Sequence, residues 1–269
     1  MSNLFNLAGK TCIITGGLGQ LGRQFTFALH SSGANVVVLE LAPTKSQVDE
    51  FDATYGDRGC VLRADVTDKE SLVRALEEIT RRFGVPAGLI NNAALDSPPG
   101  APAAENGPFE DYPEASFDKI MEVNVKGTFL CCQVFGGAMA KAGRGSIVNI
   151  SSTYGVGSPC QDLYEYRRKR GETFFKPVAY SVSKSAVLNL TRYLATYWGE
   201  SGVRVNTLTF GGVFNHQEDD FLKAYTQRVP VRRMANENEY NGAVVYLMSE
   251  SSSYMTGSNM VIDGGWTAW

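Results

Sequence analysis

At 269 residues, with 43% apolar and 20% charged side chains, the chain has ordinary globular composition and room for one large α/β core. A net charge of −3 gives no electrostatic basis for binding nucleic acid. No apolar run approaches the length of a membrane span, and residues 1–10 lack the charged-then-apolar layout of a secretion signal, so a cytoplasmic protein is expected.

Short β-branched runs alternate with longer amphipathic ones, the pattern of a parallel sheet wrapped by helices. Strands are expected at 11–15, 36–40 and 60–63, then from Leu89-Ile90, and at 146–150, 204–209 and 260–262. Helices are expected at 20–32 and 46–55, along the stripe Leu72, Val73, Leu76, Ile79 and Phe83, and at 116–141, 178–198 and 236–248. In the helix at 178–198, Val182, Ala186, Leu190, Tyr193 and Tyr197 share a side. Two stretches break the rhythm. A loop near 95–114 carries Pro98, Pro99, Gly100, Pro102, Gly107, Pro108 and Pro113. An aromatic, basic insertion lies near 158–177, with some helix of its own. No repeat or linker divides the chain, so one domain over 1–269 is expected: a doubly wound, mostly parallel sheet of the Rossmann type. Five cysteines (Cys12, Cys60, Cys131, Cys132, Cys160) without paired spacing read as reduced thiols. His30 and His216 are far apart, and no spacing suggests a metal site.

The glycine turn Thr15-Gly16-Gly17-Leu18-Gly19-Gln20-Leu21-Gly22 stands between the first strand and the first helix. Glycines there permit a tight turn and let backbone approach a pyrophosphate at the helix N-terminus. Glu40, ending the second strand, can accept hydrogen bonds from ribose hydroxyls and would repel a 2′-phosphate, which favours NAD over NADP. Asp65-Val66 follows the third strand; the aspartate either contacts an adenine amino group or belongs to the start of the next helix. Asn91-Asn92-Ala93-Ala94 ends the fourth strand with short side chains that leave room for a flat ligand. Asn124 is an amide inside an apolar helix, costly unless hydrogen-bonded. Ser152 follows the fifth strand. Tyr180 and Lys184 lie one helical turn apart, where an ammonium beside a phenol favours the phenolate.

Together with Asn206 and the tail from Thr256-Gly257 to Asp263-Gly264-Gly265, these motifs make the chain resemble the classical short-chain dehydrogenase/reductase family over essentially its full length. The resemblance implies a Rossmann fold and a nicotinamide cofactor, with Gly16, Gly19, Gln20, Leu21, Glu40, Asp65, Val66, Asn92, Ala93, Gly211 and Val213 around it. It makes Tyr180 the general acid/base and Ser152 the hydroxyl that holds the substrate oxygen. Lys184 would lower the tyrosine pKa and bind the nicotinamide ribose, and Asn124 would hold a relay water. The branch it is most similar to acts on sugars and polyols, including gluconate-dehydrogenase-like enzymes and those that modify flagellin or surface-glycan sugars. Four departures stand out: Gln20 where the family usually has glycine, Ala94 in the asparagine motif, Phe210 in place of a proline, and a long gap between Ser152 and Tyr180.

That gap holds the insertion, whose arginines could bind an anion and whose aromatics could stack on a sugar ring. Arg167 and Arg168 are the candidate substrate contacts. The reading is an NAD(H)-dependent oxidoreductase that interconverts a secondary alcohol and a ketone on a polar, sugar-like or anionic small molecule. The alternatives are a 3-oxoacyl thioester reductase and a non-catalytic NAD-binding scaffold or sensor. The apolar tail ending in Trp266 and Trp269 suggests a subunit interface, hence a homotetramer or homodimer.

Overall fold

The computed structural model describes residues 4–96 and 102–269; Pro98, Pro99 and Gly100 of the proline loop lie outside the described residues. Seven strands form one sheet in the order β3-β2-β1-β4-β5-β6-β7: β1 (Thr11–Thr15), β2 (Asn35–Glu40), β3 (Gly59–Arg63), β4 (Gly88–Asn91), β5 (Gly145–Ser152), β6 (Val203–Phe210) and β7 (Asn259–Ile262). Every pairing is parallel, so every connection crosses over, and the strand order reverses between β1 and β4. All five residues of β1 are buried, as expected for a strand covered on both faces.

Helices cover both faces: α1 (Gln20–Ser31), α2 (Lys45–Tyr55), α3 (Lys69–Phe83), a long helix α4 over 114–141, α5 (Thr153–Val156), α6 (Glu165–Lys169), α7 (Val178–Trp198), α8 (Asp219–Arg228) and α9 (Asn241–Met248). Two apolar cores result, one on each face of the sheet, centred on Ile13, Val37, Leu89 and Ile147 and on Ile14, Val38, Ile90 and Val148. Alternate residues of the same strands feed opposite cores, as the pleat requires.

The helix α4 contains two widened turns, Glu122–Gly127 and Cys132–Gly136. Each brings a glycine against a bulky neighbour. A Cβ on Gly127 would come within 2.8 Å of Val66, and one on Gly136 within 2.6 Å of Trp198. Such bulges occur often at functional sites, and the first of these carries Asn124.

The structure adds to or departs from the sequence pattern at three places. The side shared by Val182, Tyr193 and Tyr197 faces outward, with these residues 40%, 62% and 66% exposed. The buried side of α7 is Ala179, Ser183, Val187, Thr191, Leu194 and Trp198. That inner stripe includes small hydroxyl residues that bond to neighbouring elements, so apolarity alone selects the wrong face. The helix expected at 236–248 begins at Asn241, because Glu239 is engaged by the Asn236 N–H at 2.7 Å and by Arg233. The helix α8 was not expected at all; its apolar residues are few, and it is held by the insertion. A third, smaller core forms there, with Leu163 and Tyr164 against Tyr225, Val229 and Met234.

Candidate active site

The crevice opens at the carboxyl ends of β1 and β4, where the strand order reverses. On one side lies the glycine turn. Gly16 has φ +63°, and a Cβ there would press on Ala93 backbone at 3.1 Å; a Cβ on Gly22 would reach Gly16 O at 2.3 Å. The turn therefore closes tightly on the asparagine motif. Thr15 Oγ1 accepts from both Asn92 N and Ala93 N at 3.0 Å, and Asn92 Nδ2 donates to Thr15 O and Gly16 O at 3.1 Å. Gly19 caps α1 without a side-chain acceptor, so the first-turn N–H groups of this twelve-residue helix face the crevice without a side-chain cap. Gln20 reaches across to Phe214 O at 3.0 Å, and Leu21 packs into the core below.

Glu40 sits at the end of β2, where its carboxylate accepts from Leu18 N and Leu41 N at 3.3 Å. It is therefore aimed at the turn. Asp65 Oδ1 accepts from Thr67 N at 2.8 Å and from Thr67 Oγ1 at 2.7 Å, while Asp68 caps α3. Asp65 thus organises the turn that leads into α3. On the far side, Gly211 and Val213 follow β6. Gly212 N donates to Tyr225 Oη at 2.6 Å, and Val213 bridges Ala235, which fixes this loop against α8. Phe210 lines the crevice but packs against Tyr240, the rings tilted by 33° with centroids 4.7 Å apart, so its ring is drawn toward the core. This tight glycine turn, uncapped helix end and strand-end carboxylate fit a dinucleotide.

The structure brings Ser152, Tyr180 and Lys184 together. Ser152 ends β5, its Oγ accepts from Tyr154 N at 3.2 Å, and it lines the same cavity as Tyr180. Lys184 is buried, donates to Ile150 O at 3.0 Å, and lies 5.7 Å from the centre of the Tyr180 ring. The helix α7 is clamped to β5: Ser151 Oγ donates to Lys184 O at 2.8 Å, and a Cβ on Gly155 would collide with that same oxygen at 2.5 Å. Asn124 joins the cluster through structure. Its Oδ1 accepts from Leu95 N at 2.7 Å, and its Nδ2 donates to Leu95 O at 2.8 Å and Ser183 Oγ at 2.9 Å. That side chain has its polar atoms engaged, tying the loop after β4 to α7.

Burial holds the Tyr180 phenol above its ordinary range; the Asp96 carboxylate adds to the rise and the Ser152 hydrogen bond opposes it. Burial pulls Lys184 down to about 8, with Asp96 opposing. The expected lowering of Tyr180 by Lys184 does not dominate, because desolvation outweighs the charge effect at both groups.

Sequence reasoning missed the pair that faces Tyr180. Lys176 ion-pairs with Asp96, its side chain is 15% exposed, and its ammonium lies 5.4 Å from the Tyr180 ring centre. Both residues line a cavity of about 550 Å³ with Ser152, Tyr180, Tyr164, Phe174 and Phe221. No local pattern marks Asp96 and Lys176, because they are 80 positions apart. Arg167 and Arg168, the expected substrate contacts, do not line this cavity. Arg167 bonds Glu172 at 2.8 Å and stacks on Phe174 at 4.3 Å. Arg168 holds Glu165, Phe174 O and Gln161 O. Their forks are spent on fastening the insertion to itself. Replacing both with alanine is therefore expected to lower the melting temperature by a few degrees while changing kcat/KM less than about threefold; thermal melts and steady-state kinetics check this.

Residues 19–267 match the family model described as Enoyl-(Acyl carrier protein) reductase. A 2,5-dichloro-2,5-cyclohexadiene-1,4-diol dehydrogenase of Sphingobium indicum is 34% identical over 98% of this chain and 99% of its own. A ribulose-forming D-arabinitol 2-dehydrogenase of Scheffersomyces stipitis is 31% identical over 98% of this chain and 96% of its own. Among solved structures, a short-chain dehydrogenase from Leptospira borgpetersenii with bound NAD+ superimposes with a TM-score of 0.84 at 30% identity, covering 99% of this chain and 96% of that one. The chain belongs to the short-chain dehydrogenase/reductase family of oxidoreductases, which use a nicotinamide dinucleotide. No described helix is long and apolar enough to cross a membrane, and the described residues contain no cluster of three or more His, Cys, Asp or Glu placed to hold a metal ion.

Proposed function

We propose that the protein oxidises a secondary alcohol of a polar, polyol-like small molecule to a ketone, or reverses that reaction, with NAD(H). The observation that carries this is Ser152 and Tyr180 sharing one cavity lining with Gly211 and Val213, with buried Lys184 5.7 Å from the Tyr180 ring centre. Ser152 and Tyr180 hold the substrate oxygen. Tyr180 accepts its proton in oxidation and returns it in reduction. Lys184, beneath them, offers positive charge at the ribose side of the crevice, and Asn124 keeps the loop and α7 in register. The bound cofactor supplies the hydride acceptor or donor.

Glu40 supports NAD over NADP. Its carboxylate ends β2 beside the glycine turn, and a 2′-phosphate brought there would meet a like charge. The expected result for Glu40→Gln, which keeps the shape of the side chain, is a fall of about tenfold in the preference for NAD+ over NADP+, equal to about 1.4 kcal/mol. Competing assays with both cofactors and a panel of polyols measure it. An unchanged ratio sinks the assigned role.

The polar character of the substrate rests on Lys176 and Asp96, which offer a cation and an anion beside Tyr180, and on the aromatic faces of Tyr164, Phe174 and Phe221. The diol and polyol activities of the relatives accord with this reading. A thioester reductase is less well supported, since the insertion and α8 roof the cavity where a long acyl carrier would need a path. A pure scaffold would have no use for a buried lysine under a serine–tyrosine pair. The outward face of α7, with Tyr193 and Tyr197 stacked at 6.0 Å, and the exposed Trp269 support assembly as a homodimer or homotetramer in the cytoplasm.

A further inference from the structure

A second cavity, of about 630 Å³, lies beside the first. Lys176 and Tyr154 line both, so a single layer of side chains separates them. Its far side is the helical turn Ala103–Asn106, tied to the insertion by Phe175 N–H donating to Asn106 O at 2.8 Å. Its near side is the first turns of α7, with Ser181 and Val182.

Glu105 lines this cavity and is 1% exposed, yet neither carboxylate oxygen has a hydrogen-bond partner. The Tyr112 and Ser181 hydroxyls, on the same lining, are buried and unpartnered as well. Such groups are rare in native proteins, because each forfeits its hydration without return. Three of them on one cavity point to a ligand that completes them. No described ion pair involves Glu105; Lys176 is committed to Asp96.

We propose that this second cavity binds an organic ammonium group, with Glu105 as its counter-ion. An ammonium brings the missing positive charge and three N–H donors for carboxylate and hydroxyl oxygens. A neutral hydroxyl compound would leave the carboxylate charge uncompensated. A metal ion would lack a ligand set among the described residues. Phe175, Val182 and Pro177 on the lining offer apolar surface to a short alkyl stem.

The inference stands apart from the NAD reading, and its test uses thermal melts of the full chain with n-propylammonium, tetramethylammonium or sodium chloride at equal ionic strength. The expected result is a saturable rise of a few degrees with n-propylammonium alone, lost in Glu105→Gln and reduced in Ser181→Ala, while NAD+ binding is unchanged in both. No saturable rise in the wild type, an equal rise with tetramethylammonium (which has no N–H donor), or a rise that survives Glu105→Gln overturns the proposal. Should Glu105→Gln fail to fold, Glu105→Asp must shift the saturation midpoint several-fold, and an unchanged midpoint overturns it. A change of sedimentation mass in Glu105→Gln would assign the cavity to a side chain of a second copy and would also overturn it.

Discussion

Tyr180→Phe is expected to lower kcat by roughly 10³–10⁴-fold, the span of a positioned general acid/base, with NAD+ affinity within about twofold of wild type. The substitution removes one hydroxyl from the cavity floor and leaves the ring between Lys176 and Lys184. Because burial raises the phenol above its ordinary range, the wild-type enzyme should oxidise faster as pH rises, since the phenolate fraction grows. The variant should lose that dependence together with its activity. Steady-state rates across pH, paired with calorimetric NAD+ titration, report both. A variant that keeps a tenth of the wild-type rate removes Tyr180 from the chemistry.

Lys184→Met separates stability from activity. The lysine titrates near 10.4 when unfolded and near 8 in the fold. At pH 7 both states are protonated, so the burial cost is fully present, on the order of 3 kcal/mol. Between about pH 8 and 10.4 the folded lysine has released a proton that the unfolded chain still holds, so stability rises with pH across that window. Methionine removes the cost and the rise, but orphans Ile150 O, which costs about 1–3 kcal/mol. The expected outcome is a melting temperature at pH 7 equal to or above wild type, without the gain between pH 8 and 10.4, and a kcat lower by about 10²–10³-fold. Denaturant melts at pH 7 and pH 10 test the first part and turnover the second. A variant several kcal/mol less stable at pH 7 contradicts the idea that Lys184 is held at a stability cost.

The architecture was legible because most strands are short buried apolar runs and the glycine turn sits between the first strand and the first helix. The motif residues at strand ends and on α7 converge because a doubly wound sheet leaves one crevice at its carboxyl edge. What stayed hidden depends on long-range pairing. Asp96 meets Lys176 only once the loop after β4 and the insertion are folded together. The inner face of α7 could not be read from apolarity, since Ser183 and Thr191 face inward to hydrogen-bond. Thr191 joins a buried chain with Asn149 and Thr207, at 2.9 and 2.8 Å, beneath the site. Arg167 and Arg168 advertised an anion site by their charge, yet Glu172 and Glu165 stand within a few residues and pair with them. Glu105 gave no signal in sequence, where a glutamate in a polar loop is ordinary; only its burial makes it informative.

In the proposed reaction, hydride passes from a carbinol carbon to NAD+ while Tyr180 takes the hydroxyl proton. The most direct measurement follows deuterium from the carbinol carbons of a polyol panel into the nicotinamide ring by mass spectrometry, for wild type and Tyr180→Phe. Labelled NADH with matching ketone is expected from at least one polyol in the wild type, and almost none from the variant. Label transferred equally by both proteins, or by neither across the panel, contradicts this reaction.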